Sequence, residues 1–114
     1  RQGRFLIGTI NEQVFESPDG SLYRLDPDGS IHKLDTGFAV TNGMALSPDG
    51  QTLYVVNMFC SLIYAYDYDP DSGAVINRRP FVRLPRETGL PDGLTVDSEG
   101  FVWTAHWDGW RVTR

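Results

Sequence analysis

Two short strings hold the residues best suited to chemistry in this chain. Asn42-Gly43-Met44-Ala45-Leu46-Ser47-Pro48-Asp49-Gly50 and Asp92-Gly93-Leu94-Thr95-Val96-Asp97-Ser98-Glu99-Gly100 follow one pattern at an offset of fifty residues. Each reads polar, Gly, apolar, small, apolar, then polar, small, acidic, Gly. The leading residue is an amide in one copy and a carboxylate in the other, and such oxygen donors suit a hard divalent cation. Asn-Gly and Asp-Gly are also the commonest hairpin turns, so it is the equivalent repeat position that makes Asn42 and Asp92 candidates. Other reactive groups are few. Cys60, the single cysteine, has no histidine near it in sequence to take its proton, which argues against a nucleophilic thiol. Asp67, Asp69 and Asp71 have the spacing of a calcium loop without its closing Glu and read as a turn.

The elements that must position these residues are strands. Twelve Gly and seven Pro punctuate the chain, mostly in Asp-Gly, Glu-Gly or Pro-Asp clusters that mark turns. Between them lie short runs rich in β-branched and aromatic residues, several alternating with period two. Strands are expected at about 4–10, 21–26, 30–34, 42–47, 52–57, 61–68, 80–84, 93–97, 101–106 and 110–113. In Leu62-Ile63-Tyr64-Ala65-Tyr66-Asp67-Tyr68 the tyrosines should share one face. No window supports an amphipathic helix, so the fold class is all-β. Hydrophobic strands follow both repeats, at Leu53-Tyr54-Val55-Val56-Asn57 and Val102-Trp103-Thr104-Ala105-His106, and Gly3-Arg4-Phe5-Leu6-Ile7-Gly8-Thr9 resembles the tail of a third copy. Four strands in a unit of about fifty residues is the signature of a propeller blade. One whole blade would occupy about 42–84, with blade parts at 1–34 and 92–114. A closed propeller needs roughly four to eight blades, so 114 residues are expected to be a fragment of a single propeller domain. Missing chain or self-association would supply the rest. The alternative is a complete small β-domain such as a ten-stranded sandwich.

Blade topology gathers the candidates. Asn42 and Asp92 each precede the innermost strand of a blade and should face the same channel mouth. The second strands run antiparallel to the first, which brings Thr9 to Gln13, Asn57 to Cys60 and His106 to Asp108 to that mouth. His106 could touch substrate there, although a capping or packed histidine is the commoner role, and Glu12 and Gln13 join it as candidate substrate-binding residues. His32 belongs on an outer strand in solvent. Trp103, Trp107 and Trp110 are expected mainly to fill space between blades, with Trp107 alone at the mouth. Composition narrows the function. Hydrophobic residues at 40% and charged residues at 22% are those of a soluble globular protein. A net charge of −5 argues against a nucleic-acid partner. No apolar run approaches the roughly eighteen residues of a membrane span, and no signal peptide is visible ahead of a sequence that starts at Arg1 rather than Met. A lone cysteine gives no argument for an oxidising compartment, and a cytoplasmic protein is the expectation.

At these residues the chain resembles the gluconolactonase, regucalcin (senescence marker protein) and luciferin-regenerating enzyme superfamily. The resemblance rests on Thr41-Asn42-Gly43 through Asp49-Gly50, Tyr66-Asp67-Tyr68-Asp69 with Gly73, Asn77-Arg78-Arg79, and Pro91-Asp92-Gly93 through Glu99-Gly100. It runs collinearly from Gly3-Arg4-Phe5 to Arg111-Val112. It implies a six-bladed propeller two to three times this length, with one divalent cation held at the axis by a glutamate, an asparagine and an aspartate. Many members hydrolyse sugar lactones. The metal asparagine falls on Asn42 and the metal aspartate on Asp92, which the family also implicates as general base. The metal glutamate, and the arginine and asparagine that grip the sugar, lie upstream of this sequence. A further family glutamate near the site aligns with Gln13, beside Glu12, and Asn57 stands where many members carry aspartate. The implied function is a lactonase-like hydrolase using one Ca²⁺, Zn²⁺ or Mn²⁺ on a small sugar lactone. The alternatives are a non-enzymatic cation- or ligand-binding propeller, or an inactive fragment lacking part of the site.

Overall fold

The computed structural model describes residues 2–114. Ten strands form three antiparallel sheets: β1 (Phe5–Gly8), β2 (Gly20–Leu25) and β3 (Ile31–Phe38); β4 (Thr41–Leu46), β5 (Thr52–Asn57), β6 (Leu62–Tyr68) and β7 (Val75–Arg83); β8 (Leu90–Val96), β9 (Val102–Trp107) and β10 (Arg111–Thr113). Each sheet follows chain order, and the connections within a sheet are short except for the loop 9–19 between β1 and β2. The architecture is all-β, a partial β-propeller. Among the described residues no helix is long and apolar enough to cross a membrane.

Period-two alternation in β5 explains how the middle sheet holds its neighbours. Leu53 and Val55 point one way and join Leu22, Phe38 and Tyr66 in a core shared with the first sheet. Val56, on the other face, packs with Val40, Met58 and Ile63, and this second core reaches Leu90 and Leu94 of the third sheet. The tyrosines of β6 share the first of these cores, Tyr64 and Tyr68 packing beside Tyr66, as the alternation requires. The Tyr66 hydroxyl donates to Asp35 at 2.8 Å, and burial pushes its pKa well above the usual phenol range.

Three expectations need correction. β7 begins at Val75, not near 80, because Asn77-Arg78-Arg79 continues the strand as an exposed outer edge without an apolar rhythm. Its register slips beside Asp67, where Asn77 takes a φ of 56° and donates to the Asp67 carboxylate at 2.7 Å. β3 runs on to Phe38, past the expected end, through the exposed Thr36-Gly37. β8 begins at Leu90, not near 93, so Asp92 lies inside its strand as Asn42 lies inside β4. Trp107 is 56% exposed and Trp110 95%, and Trp103 donates its indole N–H to Asp97 at 2.8 Å; all three belong to the third sheet, which among the described residues has a neighbouring sheet on one side only.

The turns at the far end are closed by aspartates acting on local donors. Asp49 takes the Ser47 hydroxyl, Asp69 the Ser72 hydroxyl and Asp97 the Trp103 indole, and each contact holds its carboxyl below the ordinary value of 3.8. A depressed folded pKa contributes stability that is present above the unfolded pKa and is lost as pH falls through the folded one. Thermal unfolding midpoints should therefore be flat near neutrality and fall progressively once pH drops below about 4. Calorimetry across that range checks it.

Candidate functional site

The site begins with a defect in pairing that occurs twice. In β4, Thr41 pairs with Asn57 and Met44 with Val55, so β4 spends one residue more than β5 over Asn42-Gly43. In β8, Pro91 pairs with His106 and Leu94 with Thr104, and the extra residue falls at Asp92-Gly93. A bulge bends a strand and re-aims a side chain. Here it does so at the same repeat position of two adjacent innermost strands.

Gly43 brings the two bulges together. A Cβ there would meet the Leu94 amide nitrogen and lie 2.6 Å from the Asp92 carbonyl oxygen, so β4 and β8 touch backbone to backbone. Only a residue without a side chain permits that approach, which sets Asn42 beside Asp92. The Asn42 amide donates through Nδ2 to Met58 Sδ at 3.4 Å, which turns its harder donor, Oδ1, to other use. Among the described residues no side-chain hydrogen bond or ion pair engages Oδ1, and none reaches the half-buried carboxylate of Asp92. Both groups are open to solvent, since Ser61 Oγ is the one buried side-chain polar atom without a partner among the described residues. An amide oxygen and a carboxylate left open on neighbouring strands fit a hard cation by donor type. They are two donors, and among the described residues no cluster of three His, Cys, Asp or Glu completes a set.

Around this pair stand the ends of the second strands. Thr41 Oγ1 donates to the Thr9 carbonyl at 3.1 Å, tying β1 to β4 beside Asn42. The loop after β1 is shaped by Asn11, whose Oδ1 accepts the amides of Gln13 at 3.0 Å and Val14 at 3.2 Å, and whose Nδ2 donates to Asp19 at 2.8 Å. Glu12 and Gln13 ride this loop in solvent with no side-chain partner among the described residues. The same loop lays Phe15 on Phe59, ring centroids 5.9 Å apart. Ile10, Phe15, Val40, Met58, Phe59 and Trp107 line an apolar hollow of about 270 Å³ at the mouth. Neither Glu12 nor Gln13 lines it. The Met58 contact and the Phe15–Phe59 pair escaped sequence reasoning; their signal was the apolar Ile10, Val14 and Phe15 in a loop of mostly polar residues.

Two mouth residues are spoken for by the fold. Asn57 is buried, accepting the Ala39 amide at 2.9 Å and donating toward Gly37 at 3.4 Å, so it closes the connection between the first and second sheets. His106 is also buried, with Nδ1 3.0 Å from the Thr88 carbonyl and Nε2 2.7 Å from Thr113 Oγ1. The carbonyl can only accept, so Nδ1 carries the proton and Nε2 accepts from the threonine hydroxyl. Both ring nitrogens are thus engaged within the protein, and the geometry makes His106 a positioning residue for the 85–91 connection. His106→Ala should lower stability by about 1–3 kcal/mol through the unpaired groups it leaves; chemical denaturation measures it. His32 sits at the surface, as expected, 3.2 Å from Asp26.

A family profile described as "SMP-30/Gluconolactonase/LRE-like region" matches residues 1–114. Pentonolactonase XacC of Haloferax volcanii is 40% identical over 107 residues, covering 94% of this chain and 36% of that protein. A solved luciferin-regenerating enzyme superposes with a TM-score of 0.90 at 30% identity, over 96% of this chain and 38% of that one. A calcium-binding protein, regucalcin, from Agrobacterium tumefaciens superposes at 0.84 with 29% identity, over 93% of this chain and 36% of that one. The chain therefore spans well under half the length of the proteins it matches.

Proposed function

Because this chain belongs to the SMP-30/gluconolactonase/LRE-like family, we propose that Asn42 and Asp92 form part of a divalent-cation site in a lactonase acting on small sugar lactones. The observation that carries the reading is the pair of bulges at one repeat position of β4 and β8, strands that touch backbone to backbone at Gly43, with no side-chain partner on the Asn42 amide oxygen or the Asp92 carboxylate. We further propose that the three sheets are consecutive blades of one propeller completed by chain beyond these residues, which brings a third ligand, a glutamate by family resemblance, to the axis.

A Ca²⁺, Zn²⁺ or Mn²⁺ ion bound there would polarise the lactone carbonyl and acidify a water. Asn42 contributes an uncharged donor and keeps its orientation through Met58. Asp92 takes the proton of the attacking water as the water oxygen bonds to the carbonyl carbon. The ring C–O bond then breaks, the proton passes to the departing ring oxygen, and the product is a hydroxy acid. The apolar hollow of Ile10, Met58, Phe59 and Trp107 covers the less polar face of the substrate, and Glu12 or Gln13 reaches its hydroxyls from the rim. His106 holds the connection that carries Asp92.

The calcium-binding description of the Agrobacterium tumefaciens protein favours a second reading, a cation-binding propeller without turnover. Acid release from gluconolactone and pentonolactones, measured above the spontaneous rate with the full-length protein, separates the two. Lactonase activity should disappear on chelation and return with added metal. Tight cation binding without acid release would establish the second reading.

A further inference from the structure

One side of the mouth face carries an arrangement that the cation site does not use. The 3-10 turn Met58–Cys60 follows β5 directly. Its first residue holds Asn42 through sulfur. Its next two present their carbonyl oxygens outward, and each accepts a guanidinium: Arg86 Nη2 on the Phe59 oxygen at 2.5 Å and Arg83 Nη1 on the Cys60 oxygen at 3.1 Å. Both arginines line one hollow of about 470 Å³, walled by Ala39, Phe59, Leu62 and Tyr64, with Cys60 also exposed to it.

These two cations differ from most of their kind in this chain. Arg4, Arg24, Arg78, Arg79 and Arg114 each meet a carboxylate within 4.0 Å. Neither Arg83 nor Arg86 forms an ion pair among the described residues, although the chain carries a net charge of −5. Each has one N–H fixed on a backbone carbonyl, which orients the planar group and leaves its other donors free. The nearby carboxylates are Glu16, which also lines the hollow, and Glu87, next to Arg86 in sequence. A carboxylate ligand is satisfied by one guanidinium fork, whereas a phosphoryl group offers three oxygens and nearly two charges to two guanidiniums lining one hollow.

We propose that Arg83 and Arg86 form a binding site for the phosphoryl group of a small phosphate monoester. The proposal stands whether or not the lactonase reading does, since it uses none of the cation-site residues. The anchoring carbonyls are one and two residues beyond Met58, at most about 8 Å along the chain at 3.80 Å per residue. A ligand seated there would lie next to the mouth, with Phe59 as the shared wall of the two hollows.

Cys60 supplies a local reporter. In the full-length protein, alkylation of Cys60 by iodoacetamide, followed on its own tryptic peptide, should slow at least five-fold in saturating inorganic phosphate. Sodium chloride of equal ionic strength should not slow it. Glucose 6-phosphate should protect at lower concentration than phosphate, and glucose should not protect. The Arg83→Gln/Arg86→Gln double variant should lose protection while unfolding at the temperature of the parent. Glu16→Gln, which removes the opposing carboxylate, should bind phosphate several-fold more tightly. Because both arginines are exposed, the variants should fold; if the double variant does not, Arg86→Lys, which keeps charge but not the fork, should weaken protection about ten-fold. Protection that chloride reproduces, or that survives loss of both guanidiniums, overturns the site.

Discussion

Asp92→Ala in the full-length protein is expected to reduce lactone hydrolysis by three orders of magnitude or more, with almost no change in stability. The two halves of that expectation come from the same observation. The Asp92 carboxylate makes no side-chain hydrogen bond or ion pair among the described residues, so its removal breaks no internal contact and should move stability by no more than about 0.5 kcal/mol. Its chemical loss is double. A general base contributes typically 10²–10⁴-fold, and the variant also surrenders the one charged cation donor of the pair. Asp92→Asn separates the roles: the amide keeps an oxygen donor on the same bulge but accepts no proton. It should retain measurable metal affinity and still turn over at least about a hundred-fold more slowly. Acid-release kinetics at saturating metal, paired with thermal unfolding, give both readings. Near-normal turnover of Asp92→Ala under those conditions would remove Asp92 from the mechanism.

Much of this arrangement is legible in the sequence, and the illegible part has physical causes. All ten strands follow from turn residues and alternation, because a half-buried strand writes its two faces directly into the chain. β7 blurs where it lies at an outer edge: exposed on both sides of Asn77, Arg78 and Arg79, it has no apolar face to report. The equivalence of Asn42 and Asp92 is visible as a repeat, yet the bulges that turn them are not, since a bulge is a property of two strands in register and not of either string alone. His106 illustrates the same limit. Its strand position places it near the mouth, but its ring is held by Thr88 and Thr113, eighteen and seven residues away, and only the fold decides that both nitrogens are taken. The exposed tryptophans depend on what packs against the outer sheets, which a blade's own sequence does not record.

Gly43→Ala should be among the most damaging small substitutions in the chain. Gly43 has no left-handed φ to protect, so alanine is conformationally allowed, and the cost is the space its methyl would need. That space is filled by backbone: the Asp92 carbonyl at 2.6 Å, the Gly93 carbonyl carbon at 2.7 Å and the Leu94 amide nitrogen. A side chain could rotate away, but a paired strand moves only as a unit. Overpacking costs typically about 1–3 kcal/mol and occasionally more, and rigid backbone on the receiving side puts this site at the upper end. β8 would be pushed from β4, Asn42 from Asp92, and cation affinity should fall with stability. Gly93 occupies the same repeat position, yet a Cβ there meets nothing within 4 Å among the described residues. If a further innermost strand packs on β8 as β8 packs on β4, Gly93→Ala in the full-length protein should cost as much as Gly43→Ala. Thermal unfolding of the two variants side by side is the test. Equal losses would place another blade against β8, whereas a harmless Gly93→Ala would show that face to be bare and would overturn the proposal that the three sheets continue into a closed propeller on that side.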